Sequence, residues 1–378
     1  MKKLLSLVFG LAIVAALASP AEAAIKFSGD AQVRARTEIT KSGAADEWDE
    51  ELYWLYRLRL KIAADLGSGY FAKALLASES AGWFATISSG EGRESLELNG
   101  KEYNYFPSSL SDHFGVNQIY FGRMMQNSHY TLGIMPVNSF NNPIFDLAVY
   151  PTSAVGIPYF LINNDRVFGL NYGTKVGPGE LNATLCVLED GDWDSTGESF
   201  LRDEYAVHLM YKTNIGDVTI DPQLLAAVTR TQNFNTGDPS SNIPEAGTAP
   251  FTFGTNVIIP AGDTKITLSC FYTNDGIGLV DDDKIADYSA YVFRVKAEHG
   301  PVRAWVGYNA ADVTSSPDPA TLGDYDNLFV WAQYNWKVYD SSMGTFTLSP
   351  TVRFRDRNMN DADKDTRWRP EIWANITF

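Results

Sequence analysis

The chain contains only two cysteines, Cys186 and Cys270, so no disulfide framework can hold it together. Histidine is scarce too: His113, His129, His208 and His299 are scattered, with no two at metal-ligand spacing on one element. Neither a metal site nor a cofactor is expected. Basic residues are outnumbered 30 to 46, giving a formal net charge of −16, which argues against nucleic acid as a partner. Beyond residue 23, no apolar run approaches the roughly eighteen residues that a membrane-spanning helix requires. There is no Gly-x-Ser-x-Gly elbow, no phosphate-cradling Gly-rich loop, and no evident serine beside His208. The chain therefore reads as a non-enzyme with no catalytic residues. Asp190, Asp192 and Asp194 have the spacing that opens an EF-hand, but Ser195 and Leu201 stand where that loop needs Gly and Glu.

The first 23 residues differ from the rest. Lys2 and Lys3, an apolar run from Leu4 to Leu17, and small residues around Ala21 and Ala23 form the pattern of a secretory signal peptide. Residues 1–23 are expected to be removed, leaving a mature chain over 24–378. Losing Lys2, Lys3 and Glu22 shifts the formal charge from −16 to −17.

The mature sequence alternates with a period of two. Phe27, Gly29, Ala31, Val33 and Ala35 face one way; Asp30, Gln32, Arg34, Arg36 and Glu38 face the other. Leu52, Trp54, Tyr56, Leu58, Leu60 and Ile62 likewise oppose Arg57, Arg59 and Lys61. Short turns are read at 67–69, 127–129, 175–180, 214–217, 260–263, 299–301 and 340–344. Longer polar connections are read near 39–50, 81–115, 137–165, 190–202, 231–249, 274–286, 312–325 and 357–366. About sixteen strands result, with no linker that would divide the chain.

Such a pattern suits a sheet in lipid. Each unpaired backbone group in hydrocarbon costs several kcal/mol, so the sheet must close, and apolar side chains must face outward. Outward aromatics form two groups, as amphipathic rings at two membrane interfaces would. Trp54, Tyr205, Tyr272, Tyr308, Phe354 and Trp368 lie toward the long-loop ends; Phe27, Tyr70, Tyr172, Tyr211, Trp336, Phe346 and Phe378 lie toward the short turns. The expected fold class is all-β: a transmembrane antiparallel barrel of about sixteen strands, with short periplasmic turns and long extracellular loops.

The signal peptide, the sixteen-strand alternation and the closing segment EIWANITF together resemble the general porins of Gram-negative outer membranes. The resemblance implies a cell outer membrane location, a homotrimer, and contacts with outer-membrane lipid and lipopolysaccharide. It also implies that Phe378 is part of a signal read by the barrel-assembly machinery. The segment 137–165 would correspond to the loop that folds into a porin barrel and narrows it, with Asp146 and Asp165 as its carboxylates. An apolar surface loop at a subunit contact is the other reading of the same composition.

Strands fifteen, sixteen, one and two become neighbours on closure and bring Arg34, Arg36, Arg57, Arg59, Lys61, Arg353, Arg355 and Arg369 to one inner wall. Porin resemblance implies that this basic wall and an acidic constriction loop set up a transverse field. Alternatively, the arginines pair with Asp30, Glu38, Asp65 and Glu371 and only hold the wall. Acidic residues then belong mainly in loops such as 189–194, 281–284 and 361–365. The expected function is a water-filled channel for passive diffusion of small hydrophilic solutes and ions, with mild anion preference. A channel selective for a sugar or an anion, using Trp305, Trp331 and Trp373 for stacking, is one alternative. A barrel-anchored surface or adhesive protein is another.

Overall fold

The computed structural model describes residues 25–42, 48–78, 85–86, 94–98, 101–105, 115–136, 142–144, 166–189, 204–228, 251–274, 287–315, 323–359 and 363–378. The expected signal peptide, Asp146, Asp165 and the acidic runs at 190–194 and 281–284 lie outside the described residues.

Sixteen strands form the wall. They are β1 (Ile25–Ser42), β2 (Asp49–Gly67), β3 (Tyr70–Ala77), β4 (Gly115–Met124), β5 (Ser128–Pro136), β6 (Arg166–Val176), β7 (Gly179–Glu189) and β8 (Glu204–Ile215). There follow β9 (Val218–Ala227), β10 (Phe251–Ala261), β11 (Thr264–Asn274), β12 (Asp287–His299), β13 (Val302–Ser315), β14 (Gly323–Tyr334), β15 (Gly344–Met359) and β16 (Asp363–Thr377). Asn335 interrupts β14, which resumes at Trp336–Ser341 and stays paired with β15. Each strand pairs antiparallel with the next, and β16 pairs with β1, so the sheet closes. Closure satisfies the backbone groups that a free edge would expose.

Six of the seven short turns fall where the sequence places them; the one read at 127–129 lies at 125–127, since Ser128 and His129 already belong to β5. Gly177, Gly216, Gly262 and Gly300, with φ between 51° and 61°, occupy four of them. That left-handed region costs glycine little, and two-residue hairpins favour it because their twist matches the strands.

The seam between β1 and β16 depends on another glycine. Gly29 and Phe378 exchange two backbone hydrogen bonds, N–H to O at 2.7 and 3.0 Å. A Cβ on residue 29 would lie 2.5 Å from the backbone oxygen of Arg59 on β2 and 2.6 Å from Cζ of the Phe378 ring, so glycine suits this crowded point of the seam.

Apolar side chains cover the outer face. Leu58 is 37 % exposed and Ile372 58 %, while Asp30, Arg34 and Glu371 on the opposite face are buried. The usual inside-out distribution of a soluble protein is thus inverted, as lipid as solvent requires.

Three segments depart from the sequence reading. Ala85–Thr86 pairs with Leu55 and Tyr56 of β2, continuing the line of β3. Glu94–Leu98 and Lys101–Tyr105 form a hairpin of their own within what reads as a polar connection. Asn99-Gly100 between them is a strong hairpin dipeptide that the polar composition obscures. The connection read near 357–366 is shorter, because β15 runs to Met359 and β16 starts at Asp363.

Candidate functional site

The interior of the barrel gathers the charged side chains. On β15, β16, β1 and β2 all eight basic residues singled out in the sequence share the inner face, and four carboxylates hold them. Glu371 has a fully buried carboxylate that faces Arg36 at 2.6 Å and Arg34 and Arg353 at 3.5 Å each. Its other oxygen also accepts the indole N–H of Trp373. Asp30 takes Arg59 in a two-oxygen hydrogen bond, both at 3.0 Å, with Arg57 at 3.5 Å and Lys61 at 3.7 Å. Glu38 pairs with Arg367 at 3.1 Å and Arg369 at 2.8 Å. Asp365 pairs with Arg355, and with Arg357 at 3.3 Å and Arg367 at 3.8 Å.

These contacts join ten cations to four carboxylates, so this ion-paired cluster carries a surplus of six positive charges. The carboxylates brace the arginines, as one sequence reading expects; the acidic loop that the other reading sets against them, with Asp146 and Asp165, lies outside the described residues. Two partners differ from expectation. Asp65 instead accepts the backbone N–H of Gly67 at 3.0 Å, next to the turn. Asp365, expected in an acidic loop, is a strand residue inside the ion-pair network, because β16 begins earlier than its polar composition suggests.

Residues 142–144, from the connection between β5 and β6, sit against the inner wall on the far strands. Asn142 donates through its side-chain amide to Gln223 Oε1 of β9 at 2.8 Å, and accepts from Asn256 Nδ2 of β10 at 3.4 Å. His208 Nε2 lies 2.8 Å from that same Gln223 oxygen. Gln223 Nε2 and the backbone N–H of Asn256 both donate to Asp221 Oδ1, at 3.1 and 2.9 Å. Pro143 and Ile144 are fully buried. The connection is thereby latched to the barrel's interior through β9 and β10, which are not neighbours of the strands it joins.

A second cationic group lies on β11, β12 and β13. Glu298 takes Lys265 at 2.6 Å, Lys296 at 3.2 Å and Arg303 at 3.1 Å. Arg294 places its guanidinium 4.2 Å from the centre of the Trp305 ring, and Trp305 stacks on Phe329 at 4.5 Å. Trp331 meets Trp373 edge-on at 6.4 Å, and Arg34 lies 3.8 Å over Trp373. The tryptophans face inward, as their parity in the sequence requires. Trp305 is only 7 % exposed and Trp331 3 %, however, so they form a packed cluster that seats arginines, with little open ring surface for a sugar.

The alternation of β12 already places Arg294, Lys296 and Glu298 on the inner face, so this second group had a signal in the sequence. The latch had none, since period two says nothing about which loop reaches which strand. Cys186 is buried and Cys270 exposed on the outer face, so the two do not meet. Among the described residues, no cluster of His, Cys, Asp and Glu could hold a metal ion.

No family model matches this chain, and no curated protein matches it. Solved structures do. The outer membrane channel DcaP of Acinetobacter baumannii is similar with a TM-score of 0.54 and 14 % identity, over 95 % of this chain and 99 % of that one. The trimer form of in-vitro folded OmpT, an outer membrane protein of Vibrio cholerae, gives 0.53 and 12 %, over 94 % and 99 %. Salmonella typhi OmpF in complex with daunomycin gives 0.53 and 10 %, over 92 % and 97 %. The sixteen-stranded closed antiparallel barrel of this chain is the fold it shares with these outer-membrane proteins.

Proposed function

We propose that this chain is an outer-membrane porin: a water-filled channel for passive diffusion of small hydrophilic solutes and ions, with a mild preference for anions. The observation that carries this reading is a closed barrel of sixteen strands with an apolar outer face and a cation-rich inner one. Barrels of that strand number leave an aqueous lumen, and lining charge then biases the ions that pass. No catalysis is required, since the solute's own gradient drives transport. The shared fold supports placement in the Gram-negative outer membrane, among lipid and lipopolysaccharide, and the trimer form of OmpT supports a homotrimer.

In this reading the connection over 137–165 narrows the lumen, carrying Asp146 and Asp165 toward it. The burial of Pro143 and Ile144 and the hydrogen bonds of Asn142 support that role. Phe378, laid across the seam, serves as a recognition element for the barrel-assembly machinery. The test is single-channel recording of purified, folded protein in a planar bilayer. Discrete conductance steps with an anion-directed reversal potential in a salt gradient are expected; absence of any conductance would favour the surface-protein alternative.

A further inference from the structure

Beside the latched connection, Pro143, Ile258, Lys265, Thr267, Ser269, Arg294, Lys296 and Glu298 line a cavity of about 190 Å³. That space is ample for several waters, and so for a small solute in their place. Its wall is of two kinds. Three cations and one carboxylate, with the hydroxyls of Thr267 and Ser269, make a polar side. Pro143 and Ile258 make an apolar one.

We propose that this cavity is a binding site for short-chain carboxylates within the lumen. Acidic groups would take the Lys265, Arg294 and Lys296 side and the hydroxyls, and a short carbon chain would lie against Pro143 and Ile258. Glu298 keeps the cations from repelling one another, since Lys265 and Lys296 reach it at 2.6 and 3.2 Å. Arg294 is held from behind by Trp305, itself stacked on Phe329, so the guanidinium is oriented before any anion arrives. This explains why aromatic rings occupy an inner wall that water would otherwise cover. A bare inorganic ion would meet the positive surplus of this group but leave the apolar side unused, whereas a neutral solute would gain nothing from that surplus.

The inference deepens the channel reading, and its test does not need a membrane. Folded protein in detergent micelles is titrated at constant ionic strength with succinate, with 1,4-butanediol as its neutral counterpart, and with sulfate as an inorganic dianion. Tryptophan emission is read, and Trp305→Phe assigns the change to the ring beneath Arg294. Succinate is expected to give a saturable change, butanediol none, and sulfate a weaker affinity. Lys296→Met should weaken succinate about tenfold or more, the loss of one charge-assisted contact, and Thr267→Val should weaken it by a smaller factor with less risk to folding. Lys337→Gln, which removes a charge on the exposed end of the β14 line, should leave it unchanged. Equal responses to succinate and sulfate, or no effect of Lys296→Met and Thr267→Val, would overturn the site. Binding without bilayer conductance would keep this site and refute the channel; conductance with no succinate response would do the reverse.

Discussion

Glu371 offers the sharpest test of the inner wall. Its carboxylate is fully buried and faces three guanidinium groups within 3.5 Å, so Glu371→Gln keeps the shape while leaving those cations without their shared counter-charge. At an effective dielectric near 20, each such contact is worth about 5 kcal/mol of gross attraction, most of it offset by the cost of desolvating the ions. Breaking a buried pair by removing one partner nonetheless costs about 3–5 kcal/mol, because the remaining charge stays buried and uncompensated. Three arginines now repel, but the lumen side of the cluster is partly wet, so the lower end, about 3 kcal/mol, is expected. Guanidinium-induced unfolding from lipid vesicles, followed by tryptophan emission and by heat-modifiable gel mobility, measures it. Adding Arg34→Gln to Glu371→Gln should recover about 1–2 kcal/mol, the range of coupling seen between residues in one network. If Glu371→Gln lies within about 1 kcal/mol of wild type, and the double variant is no more stable than the single one, the carboxylate is not what holds this wall.

Four further outcomes follow from the same geometry. Gln223→Ala removes the oxygen that Asn142 donates to, a hydrogen bond worth about 1 kcal/mol net, so the latch loosens roughly fivefold; single-channel records should show larger or noisier steps, and unaltered steps would refute the latch. Leu58→Arg places a charge on the lipid face near the middle of β2 and should cost about 2–4 kcal/mol in vesicle unfolding; no loss of stability would refute the outward facing of Leu58. Gly29→Val drives a side chain into the backbone carbonyl of Arg59 as well as the Phe378 ring, so the yield of heat-modifiable folded barrel should fall, and a wild-type yield would refute this close approach. Reversal potentials in a potassium chloride gradient should favour chloride modestly in the wild type, and replacing Arg57 and Arg59 by Gln should shift them toward cation preference.

Much of this architecture is legible in the sequence. A period of two combined with tight turns sets strand number and, on strands with clean alternation, facing, because a one-residue slip would exchange the lipid-facing and inward sets completely; β3 and β4 alternate less cleanly, and the turn after β4 comes two residues earlier than it reads. Hence Arg57 and Leu58 could be assigned to opposite faces before any coordinates. Pairings across long separations were not legible. That Glu371 of β16 gathers Arg34, Arg36 and Arg353 follows from strand closure combined with side-chain reach, and composition alone favours Asp65 equally well. The fixing of Asn142 by Gln223 and Asn256 spans the lumen, where no local pattern applies. Trp305 and Trp331 read as open stacking surfaces because periodicity reports the direction of a side chain and is silent on what packs over it.

The pairing of β1 with β16 also bears on the order in which the molecule can form. Hairpins such as β10 with β11 or β12 with β13 need only a few residues to meet, but Arg36 and Glu371 are 335 positions apart. Contacts between neighbours accumulate quickly, while this most distant one must overcome the greatest loss of chain freedom. Until it forms, the curled ribbon has two raw margins and lacks the four ion pairs that Glu38, Arg34, Arg36 and Glu371 make across them. Zipping this last pair is therefore the expected slow event, and its rate, followed by a fluorophore pair placed on β1 and β16, should set the rate at which the whole barrel matures.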